Sequence, residues 1–278
     1  MKTGTLYVVA TPLGNLGDLS HRATEVLRAV PVVAAEDTRR TRGLLSHLGA
    51  SPTLLSFHAH SGDHRQETLL DILRSGRDVA LVSDAGTPTV SDPGAELISL
   101  AREGGIPVVP LPGASAVTTA LSASGLSGDR YLFLGFIPRK GRERARLLAR
   151  AAEEEWSVVL YEAPPRLADL LTDLLPLTGP DRRVVVAREL TKLHEEIRTG
   201  TVAELAEQFA ATPARGEITV VLEGTGSRAV EPDRTDEAME QATTLLASGF
   251  TRREVVRQLT QSLGMPRNEA YKLVMELP

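Results

Sequence analysis

The 278-residue sequence contains no cysteine, few aromatic residues and no long apolar run. Without cysteine, the chain cannot form disulfides, thiolate metal sites or a cysteine nucleophile. Aromatic residues make up only 4% of the chain, so extensive stacking on nucleic-acid bases is not expected. Because the apolar runs are only as long as strands, we expect no membrane span, and no secretory signal precedes the first strand-like run. These absences favour a cytoplasmic protein.

The chain also lacks an excess of positive charge. Its formal net charge is −5, which argues against a protein that coats nucleic acid through bulk electrostatics. A local exception is the segment PRKGRERARLLAR at residues 138–150, which carries six basic residues and one acid, Glu143. The histidines form no metal-binding motif, so no metal is expected. The sequence therefore predicts a local site for an anionic partner.

The first 126 residues alternate strand-like and helical patterns. The strand-like runs are LYVVA (6–10), VVAAED (32–37), DVALVSD (78–84) and VVPLPG (108–113). Because a helical pattern follows each of them, we predict an α/β domain with a parallel-rich sheet covered by helices on both faces. Ligands in such sheets bind beyond the carboxyl ends of the strands. The polar loops that follow these four runs are therefore expected to converge.

The rest of the chain divides into two further parts. Strand-like runs at residues 131–136, 156–164, 182–191 and 217–224, separated by helical patterns, predict a second, mixed α/β domain at residues 127–225. A polar, turn-rich segment at residues 225–236 is typical of a linker. Short helical patterns follow at residues 236–278, one of them opened by a capping box from Thr251 to Glu254. They predict a small helical extension of helix-turn-helix character.

Three loops of the first domain have the composition of a small-molecule site. The loop ATPLGNLGDLS (10–20) lacks both G-x-G-x-x-G and the lysine of a P-loop, so a pyrophosphate cradle is not expected. The loop GTPTVSDPG (86–94) combines stiff prolines with hydroxyl groups. PLPGASAVTTALSASG (110–125) opens a helix whose free N–H groups can bind a carboxylate. Backbone amides, hydroxyls and small residues of this kind suit S-adenosylmethionine (SAM).

Eight segments, in this order, carry a specific resemblance. They are LYVVATPLGNLGD, AAEDTRRT, ALVSDAGTPTVSDPG, VVPLPGASA, GFIPRK, LYEAPPRL, ARELTKLHE and GEITVVLEG. The chain resembles the tetrapyrrole-methylase superfamily and, within it, the small-subunit ribosomal RNA methyltransferase I branch, including the helical extension of that branch. The resemblance implies two α/β domains with SAM in the cleft between them and a homodimer. It also implies methyl transfer to the ribose 2′-hydroxyl of a cytidine in the 16S rRNA of the small ribosomal subunit.

The same resemblance assigns the positions that face SAM. They are Leu13, Gly86, Thr87, Val90, Ala114, Ser115 and Tyr161, with Ala187 or Arg188 and Ile218 or Thr219 from the second domain. Pro12 lies where the family places the adenine. Asp84 ends a strand, so it is expected either to contact the ligand or to bind amides of its own loop.

Methyl transfer from a sulfonium is an in-line displacement, so the protein mainly has to align the two reactants and exclude water. A ribose hydroxyl is a poor nucleophile, and a base or an electrostatic helper is useful. The candidates are Asp37 in AEDTRRT, Asp84, and a cluster in RELTKLHEE in which Glu189 and Lys192 are flanked by Arg188 and Glu195. Each has a structural alternative. Asp37 could cap the helix that begins near Thr38, and Glu189 and Lys192 could form a surface ion pair.

Two basic segments are candidates for binding the phosphates that flank a target nucleotide. They contribute Arg39, Arg40 and Arg42, and Arg139, Lys140, Arg142 and Arg144. The alternative for the second group is a solvated helix face. In an acidic protein, a run with so few acids favours RNA.

Two other functions remain open at this point. One is a methylase of a tetrapyrrole or corrinoid precursor, whose carboxylates would also suit a basic cleft. The other is a non-catalytic rRNA-binding assembly factor. The helical extension and the segment GFIPRKGRER favour an RNA methyltransferase.

Overall fold

The computed structural model describes residues 2–58, 62–226, 235–263, 265 and 267–277. The chain divides into two compact units, residues 1–226 and residues 227–278, and the first unit contains two five-stranded sheets. Within the described ranges, no helix has the length and apolar character needed to cross a bilayer. The predicted domain boundary between residues 126 and 127 lies inside the first unit and stays a prediction.

The first sheet is parallel throughout, with the strand order β3-β2-β4-β1-β5. Its strands are β1 (Leu6–Val9), β2 (Val32–Ala35), β3 (Thr53–Ser56), β4 (Val79–Val82) and β5 (Val108–Leu111). Its helices are α1 (His21–Ala29), α2 (Thr38–Leu48), α3 (Asp63–Arg74), α4 (Ala95–Glu103) and α5 (Ala116–Ser124).

Helices cover both faces of this sheet. On one face Leu81 of β4 belongs to a buried cluster with Leu69 of α3 and Leu97 of α4. On the other face Val82 belongs to a cluster with Leu27 of α1. Strands buried on both faces have to be apolar at every position, which explains why β2 and β4 read VVAA and VALV.

Adjacent strands β1 and β4 send the chain in opposite directions. From β1 the chain crosses to β2 on one side, whereas from β4 it crosses to β5 on the other side. This arrangement opens a crevice at the carboxyl ends of the two strands, where α/β proteins bind ligands. The loops that follow β1 and β4 meet there, since Thr11 and Gly86 exchange two backbone hydrogen bonds of 2.8 and 2.9 Å.

The second sheet is mixed, with the order β6-β7-β10-β8-β9. Its strands are β6 (Tyr131–Phe136), β7 (Ser157–Glu162), β8 (Arg183–Arg188), β9 (Glu196–Thr201) and β10 (Ile218–Leu222). Its helices are α6 (Arg142–Glu153), α7 (Leu167–Thr178) and α8 (Val202–Ala211). Only β6 and β7 run parallel to each other, and the remaining neighbours are antiparallel. One face packs on these helices through Val220, Leu171 and Phe209.

The other face of the second sheet packs against the first half of the chain. Val159, Val185 and Val221 form one buried cluster with Leu13 of the loop after β1 and Val117 of α5. This apolar contact places the strands of the second sheet beside the loops at the carboxyl edge of the first sheet. A site can therefore draw residues from both sheets.

The second unit consists of α9 (Thr235–Ala247), α10 (Arg252–Ser262) and α11 (Arg267–Glu276). Its buried residues include Ala242 of α9, Leu259 of α10 and Val274 of α11. The predicted capping box is confirmed, since Thr251 and Glu254 satisfy each other's backbone N–H groups. Residues 227–234 of the predicted linker lie outside the described part of the chain.

Candidate active site

A cavity of about 410 Å³ lies where the loops of the first sheet meet the second sheet. This volume is in the range of small-molecule sites. Many of the predicted cofactor positions line it: Leu13, Asp84, Gly86, Thr87, Val90, Ser115, Tyr161, Ile218 and Thr219. The structure thus brings together loops that are far apart in the sequence.

Four predicted cofactor positions do not line the cavity. Ala187 is fully buried in the apolar cluster between the two halves. Arg188 forms an ion pair with Glu196 of the neighbouring strand β9. Pro12 is half-buried beside the cavity-lining Leu13, and Ala114 contributes its carbonyl to the hydroxyl of a neighbouring loop. These positions support the site from outside the cavity.

The backbone at Gly86 forms one wall of the cavity. Its φ of 81° lies in the left-handed region that glycine adopts readily. A Cβ at this position would lie at ordinary contact distance, 3.4 Å from Leu13 Cδ2 and 3.7 Å from the Ala114 carbonyl oxygen, so the backbone conformation is what favours glycine here. The next residue, Thr87, donates its hydroxyl to the same Ala114 carbonyl at 3.1 Å. The left-handed backbone at Gly86 and the hydrogen bond of Thr87 together fix the shape of this wall.

Helix α5 begins at the edge of the same cavity. Its N-cap residue Ser115 and its first residue Ala116 both line the cavity, and the Ser115 side chain makes no capping hydrogen bond. The first N–H groups of a helix have no partner within the helix and carry a partial positive charge. The start of α5 therefore suits a carboxylate, as predicted from the small residues of this loop.

Two carboxyl groups that the sequence analysis did not select, Glu36 and Asp92, join Asp84 in the cavity wall. Burial and the negative charge of Asp84 raise the pKa of Glu36. Burial and the charge of Glu36 raise the pKa of Asp92 to about 6. Arg40 is the nearby cation, with Nη1 3.8 Å from Asp84 Oδ2. Glu36 directly precedes the predicted Asp37, and Asp92 lies in a loop selected for its hydroxyl groups.

Aromatic rings form the opposite wall. Tyr161 of β7 makes an edge-to-face contact with Phe133 at a centroid distance of 5.0 Å and lies 5.4 Å from Phe136. Burial and the charge of Asp92 raise the pKa of the Tyr161 phenol to about 12, so the phenol stays protonated at neutral pH. Phe136 lines the cavity although 57% of its surface is exposed. Phe136 therefore offers an accessible aromatic surface at the cavity.

Asp37, a predicted catalytic residue, does not line the cavity. It is the N-cap of α2 and accepts the Arg39 N–H at 2.8 Å, while Arg39 Nη2 lies 2.9 Å from Asp37 Oδ2. The hydrogen bonds from Arg39 lower the pKa of Asp37 to about 2. A carboxylate with so low a pKa is a weak base, and the geometry is that of the structural alternative, a helix cap.

The predicted catalytic pair Glu189 and Lys192 forms an ion pair of 2.9 Å beside the cavity, but neither side chain lines it. Glu189 also accepts the Glu217 N–H at 2.9 Å, which, with Lys192, lowers the pKa of Glu189. Burial opposes the charge of Lys192, but hydrogen bonds to Glu189 and Glu217 outweigh it and raise the pKa of Lys192. The pair holds together two loops of the second sheet, and a catalytic role for it stays a prediction.

The predicted RNA-binding residues differ in side-chain exposure and in whether they already form ion pairs. Arg39 is paired with Asp37, and Arg40 lines the cavity. Those with exposed side chains and no ion pair among the described residues are Arg42, Arg139, Lys140 and Arg142. The remaining residue, Arg144, is largely buried.

Arg144 is buried, with 11% of its side chain exposed. Its guanidinium donates to Asp173 of α7 at 2.6 and 2.9 Å and to the Pro138 carbonyl at 3.1 Å. These partners hold the start of α6 against α7. Arg144 is therefore held by partners within the fold, and its contact with RNA stays a prediction.

A second buried ion pair lies at the end of β7. Arg166 Nη2 is 2.9 Å from Oε2 of Glu162, whose side chain is fully buried, and Glu162 Oε1 accepts the Ala163 N–H at 2.7 Å. Arg166 also donates to the Ile137 carbonyl after β6. The pair connects the ends of β6 and β7, and Glu162 and Ala163 both line the cavity.

The chain matches the family of tetrapyrrole (corrin/porphyrin) methylases over residues 5–206. It belongs to this family. The ribosomal RNA small subunit methyltransferase I of Synechocystis sp. is 43% identical over 274 residues, which cover 99% of this chain and 98% of that protein. The protein of the same name from Escherichia coli O157:H7 is 42% identical over 275 residues, covering 98% and 95%.

Solved structures of the tetrapyrrole methylase family share the fold at low identity. Uroporphyrin-III-C-methyltransferase from Thermus thermophilus has a TM-score of 0.58 at 23% identity, over 79% of this chain and 94% of that chain. Cobalt precorrin-4 methyltransferase has a TM-score of 0.62 at 19% identity, with the same coverage. The Thermus enzyme was also solved in complex with S-adenosyl homocysteine, at a TM-score of 0.59 and 21% identity, over 79% and 97% of the two chains. The predicted family and α/β fold are confirmed, and the family is one of methyltransferases.

Proposed function

We propose that this protein is a SAM-dependent methyltransferase that methylates the ribose 2′-hydroxyl of a cytidine in 16S rRNA. The observation that carries the proposal is the similarity, over nearly the whole chain, to proteins named for methylation of small-subunit ribosomal RNA. That similarity includes the helical extension, whereas the family match ends at residue 206. The extension thus favours the RNA branch over the tetrapyrrole branch. A ribosomal substrate also implies a cytoplasmic enzyme.

The cavity has the donor set that SAM requires. The N–H groups at the start of α5 suit the carboxylate of SAM. The carboxyl groups of Glu36 and Asp84 give the cavity a negative wall that suits the ammonium and sulfonium groups. When bound, SAM supplies an electrophilic methyl group. The chain's part is to align the acceptor and exclude water.

The RNA would be held by the exposed cations near the end of β6. Arg139, Lys140 and Arg142 follow Phe136, so phosphates bound to these side chains would place a nucleotide near an accessible aromatic ring. With one exposed ring at the cavity, a single extruded base fits better than a stacked strand. The homodimer that the family implies stays a prediction.

The decisive experiment measures transfer of labelled methyl groups from SAM to small ribosomal subunits, with the product nucleotide identified by digestion. We expect a 2′-O-methylated cytidine. Labelling of precorrin-type acceptors but not RNA would favour a tetrapyrrole methylase instead. SAM binding without transfer to either would favour an assembly factor.

A charge-reversal variant tests the RNA side separately. Changing Arg139, Lys140 and Arg142 together to Glu should weaken RNA binding at moderate salt at least tenfold and leave SAM affinity unchanged, because only phosphate contacts are lost. The matched control reverses three exposed arginines elsewhere on the first unit, Arg22, Arg77 and Arg102, and changes the net charge equally. Equal weakening by both variants would mean that only the net charge matters.

The cofactor side is tested by Thr87→Arg. The larger side chain would fill the cavity beside Gly86, so SAM binding should fall below detection in calorimetry while the fold remains intact. Thr118→Arg, on the exposed face of α5, introduces the same side chain outside the cavity and serves as the control. Unchanged SAM affinity of Thr87→Arg would move the cofactor site elsewhere.

A further inference from the structure

The loop after β4, which carries Asp92 at the cavity, has a strained backbone at two neighbouring residues. Thr89 and Ser91 have φ values of 74° and 67°, in the left-handed region that costs non-glycine residues on the order of 1 kcal/mol or more each. Gly94 closes the loop with a φ of 130°, and a Cβ there would lie 2.6 Å from Leu81 Cδ2. Asp92 precedes a proline, which further restricts its backbone. Strain of this kind is characteristic of functional sites.

Asp92 and Glu36 differ from the other three carboxylates of the cavity in having no ion pair among the described residues. Ion pairs hold three of the others: Asp84 with Arg40, Glu162 with Arg166, and Glu217 with Lys192. Asp92 has no ion pair within 4.0 Å in the described part of the chain. It is thus a cavity carboxylate whose charge is not neutralised.

The surroundings of Asp92 make it a stronger base than an ordinary aspartate. Burial, together with the charges of Glu36 and Asp84, raises its pKa to about 6, whereas the Ser83 hydroxyl lowers it. Tyr161 faces it from the second sheet with a phenol that stays protonated. At neutral pH the carboxylate is ionised and its pKa is close to the working pH, which is the condition for an efficient general base.

We propose that Asp92 is the proton acceptor for the ribose 2′-hydroxyl, an assignment that rests on the proposed function. Its carboxylate takes the hydroxyl proton as the oxygen bonds to the methyl carbon. The carbon–sulfur bond of the donor breaks in the same step, and its electron pair stays on sulfur as a neutral thioether. The negative charge of Asp92 and the positive charge of the sulfonium thus disappear together, and the proton ends on Asp92.

The acceptor side of the cavity is consistent with this role. Phe136 and Tyr161 form an aromatic wall in the same cavity as Asp92, so a nucleoside can stack there while its sugar reaches the carboxylate. The charged and titratable groups around the cavity come from five elements: Glu36 after β2, Arg40 on α2, Asp84 after β4, Tyr161 and Glu162 on β7, and Glu217 before β10. Most of them are acids, which favours uptake of a proton by Asp92.

The test is the single-turnover rate of methyl transfer to small ribosomal subunits between about pH 5 and pH 8.5, with SAM affinity measured by calorimetry. For the wild type, we expect the rate to rise tenfold per pH unit at low pH and to level off above about pH 6. Asp92→Asn should bind SAM with near wild-type affinity, lose about 100-fold or more in rate, and lose the break in the pH profile. Asp92→Glu, which restores the carboxylate, should recover part of the rate and the break.

A substitution at Glu36 tests whether Asp92 is the group responsible for the break in the pH profile. Since the charge of Glu36 is one cause of the raised pKa of Asp92, Glu36→Gln should move the break to lower pH. A break that stays in place in Glu36→Gln would assign it to another group.

The possible outcomes distinguish a failure of the Asp92 assignment from a failure of the proposed function. If the wild type transfers methyl groups and Asp92→Asn does so at a similar rate, Asp92 is not the proton acceptor, but the proposed function stands. Loss of SAM binding in Asp92→Asn would make Asp92 a cofactor ligand and overturn its role as proton acceptor. Absence of transfer by the wild-type protein, with SAM bound, would overturn the proposed function and this inference with it.

Discussion

The two walls of the cavity differ in how closely their carboxylates are paired with cations. On the wall formed by the second sheet, each carboxylate has a cation at short range: Glu162 has Arg166 at 2.9 Å, and Glu217 has Lys192 at 3.2 Å. On the wall formed by the first sheet, the nearby cation is Arg40, 3.8 Å from Asp84. The wall of the first sheet therefore carries uncompensated negative charge.

This difference distinguishes carboxylates that stabilise the fold from carboxylates suited to catalysis. Glu189, beside the second sheet, has a lowered pKa, because its ion form is stabilised by the fold. Glu36 and Asp92 have raised pKa values, because the folded protein disfavours their ion forms. Carboxyl groups whose ionised form is disfavoured by the fold are typical of active sites, and they lower the stability of the protein. The comparison predicts that removing charge from the second wall destabilises the protein, whereas removing it from the first wall stabilises it.

The largest effect is expected for Arg166→Met. It leaves the fully buried carboxylate of Glu162 without its cation, which costs about 3 kcal/mol or more in the free energy of unfolding. The measurement is urea denaturation at neutral pH. Glu162→Gln combined with Arg166→Met removes both charges and should recover most of the loss. No recovery in the double variant would mean that the Ile137 contact of Arg166, rather than the ion pair, carries the stability.

A smaller loss is expected for Glu189→Gln. The amide still accepts the Glu217 N–H but no longer attracts Lys192, so the free energy of unfolding should fall by about 1–2 kcal/mol. Lys192→Met should cost a similar amount, and the double variant should show that the two losses are not additive. If Glu189 were the base instead of Asp92, Glu189→Gln would also remove the break in the pH profile of methyl transfer.

The opposite sign is expected for Asp92→Asn. The pKa of Asp92 is about 6 in the folded protein against an ordinary 3.8, so the folded state binds this proton more tightly than the unfolded state. The wild type therefore loses stability as the pH rises through this interval. Because the group is partly exposed, solvent screening limits the effect, and we expect the variant to be more stable by about 1 kcal/mol above pH 7. The gain should vanish below about pH 4, and a gain that does not depend on pH would contradict the charge argument.

The sequence predicted the parallel sheet because the apolar runs of its central strands are buried on both faces. It did not predict β3 or β9, which lie at sheet edges. β3 reads TLLS with partly exposed residues, and β9 reads EIRTGT, with Glu196 and Arg198 paired on its surface. Edge strands have few buried positions and often carry charges, so their composition resembles that of a loop.

The site was predictable where it depends on the backbone. Gly86, Thr87 and Ser115 follow strands whose carboxyl ends had to meet, and glycine or small residues mark such turns. Glu36 and Asp92 were missed because their raised pKa values arise from burial and from neighbouring carboxylates, Asp84 for Glu36 and both Glu36 and Asp84 for Asp92, which requires the folded arrangement. A base cannot be selected from residue type alone.

The burial of Arg144 was predictable from the sequence. Counting basic residues treats the whole segment at 138–150 as one surface. Arg144 lies four and seven residues before the buried Leu148 and Ala151, the spacing of one helix face. Helical periodicity therefore predicts that Arg144 turns towards the core while Arg142 and Arg146 stay exposed.

The smallest effect is expected for Asp37→Asn. Asparagine caps a helix as well as aspartate does, so the change isolates the charge that pairs with the exposed Arg39. The lowered pKa of Asp37, about 2, means that its charge stabilises the protein above pH 4 and that this contribution is lost as the pH falls towards 2. Thermal denaturation should therefore show a slightly lower Tm for the variant at pH 6 and no difference near pH 2. If methyl transfer by Asp37→Asn falls far more than this small loss of stability explains, Asp37 takes part in the reaction and is more than a helix cap.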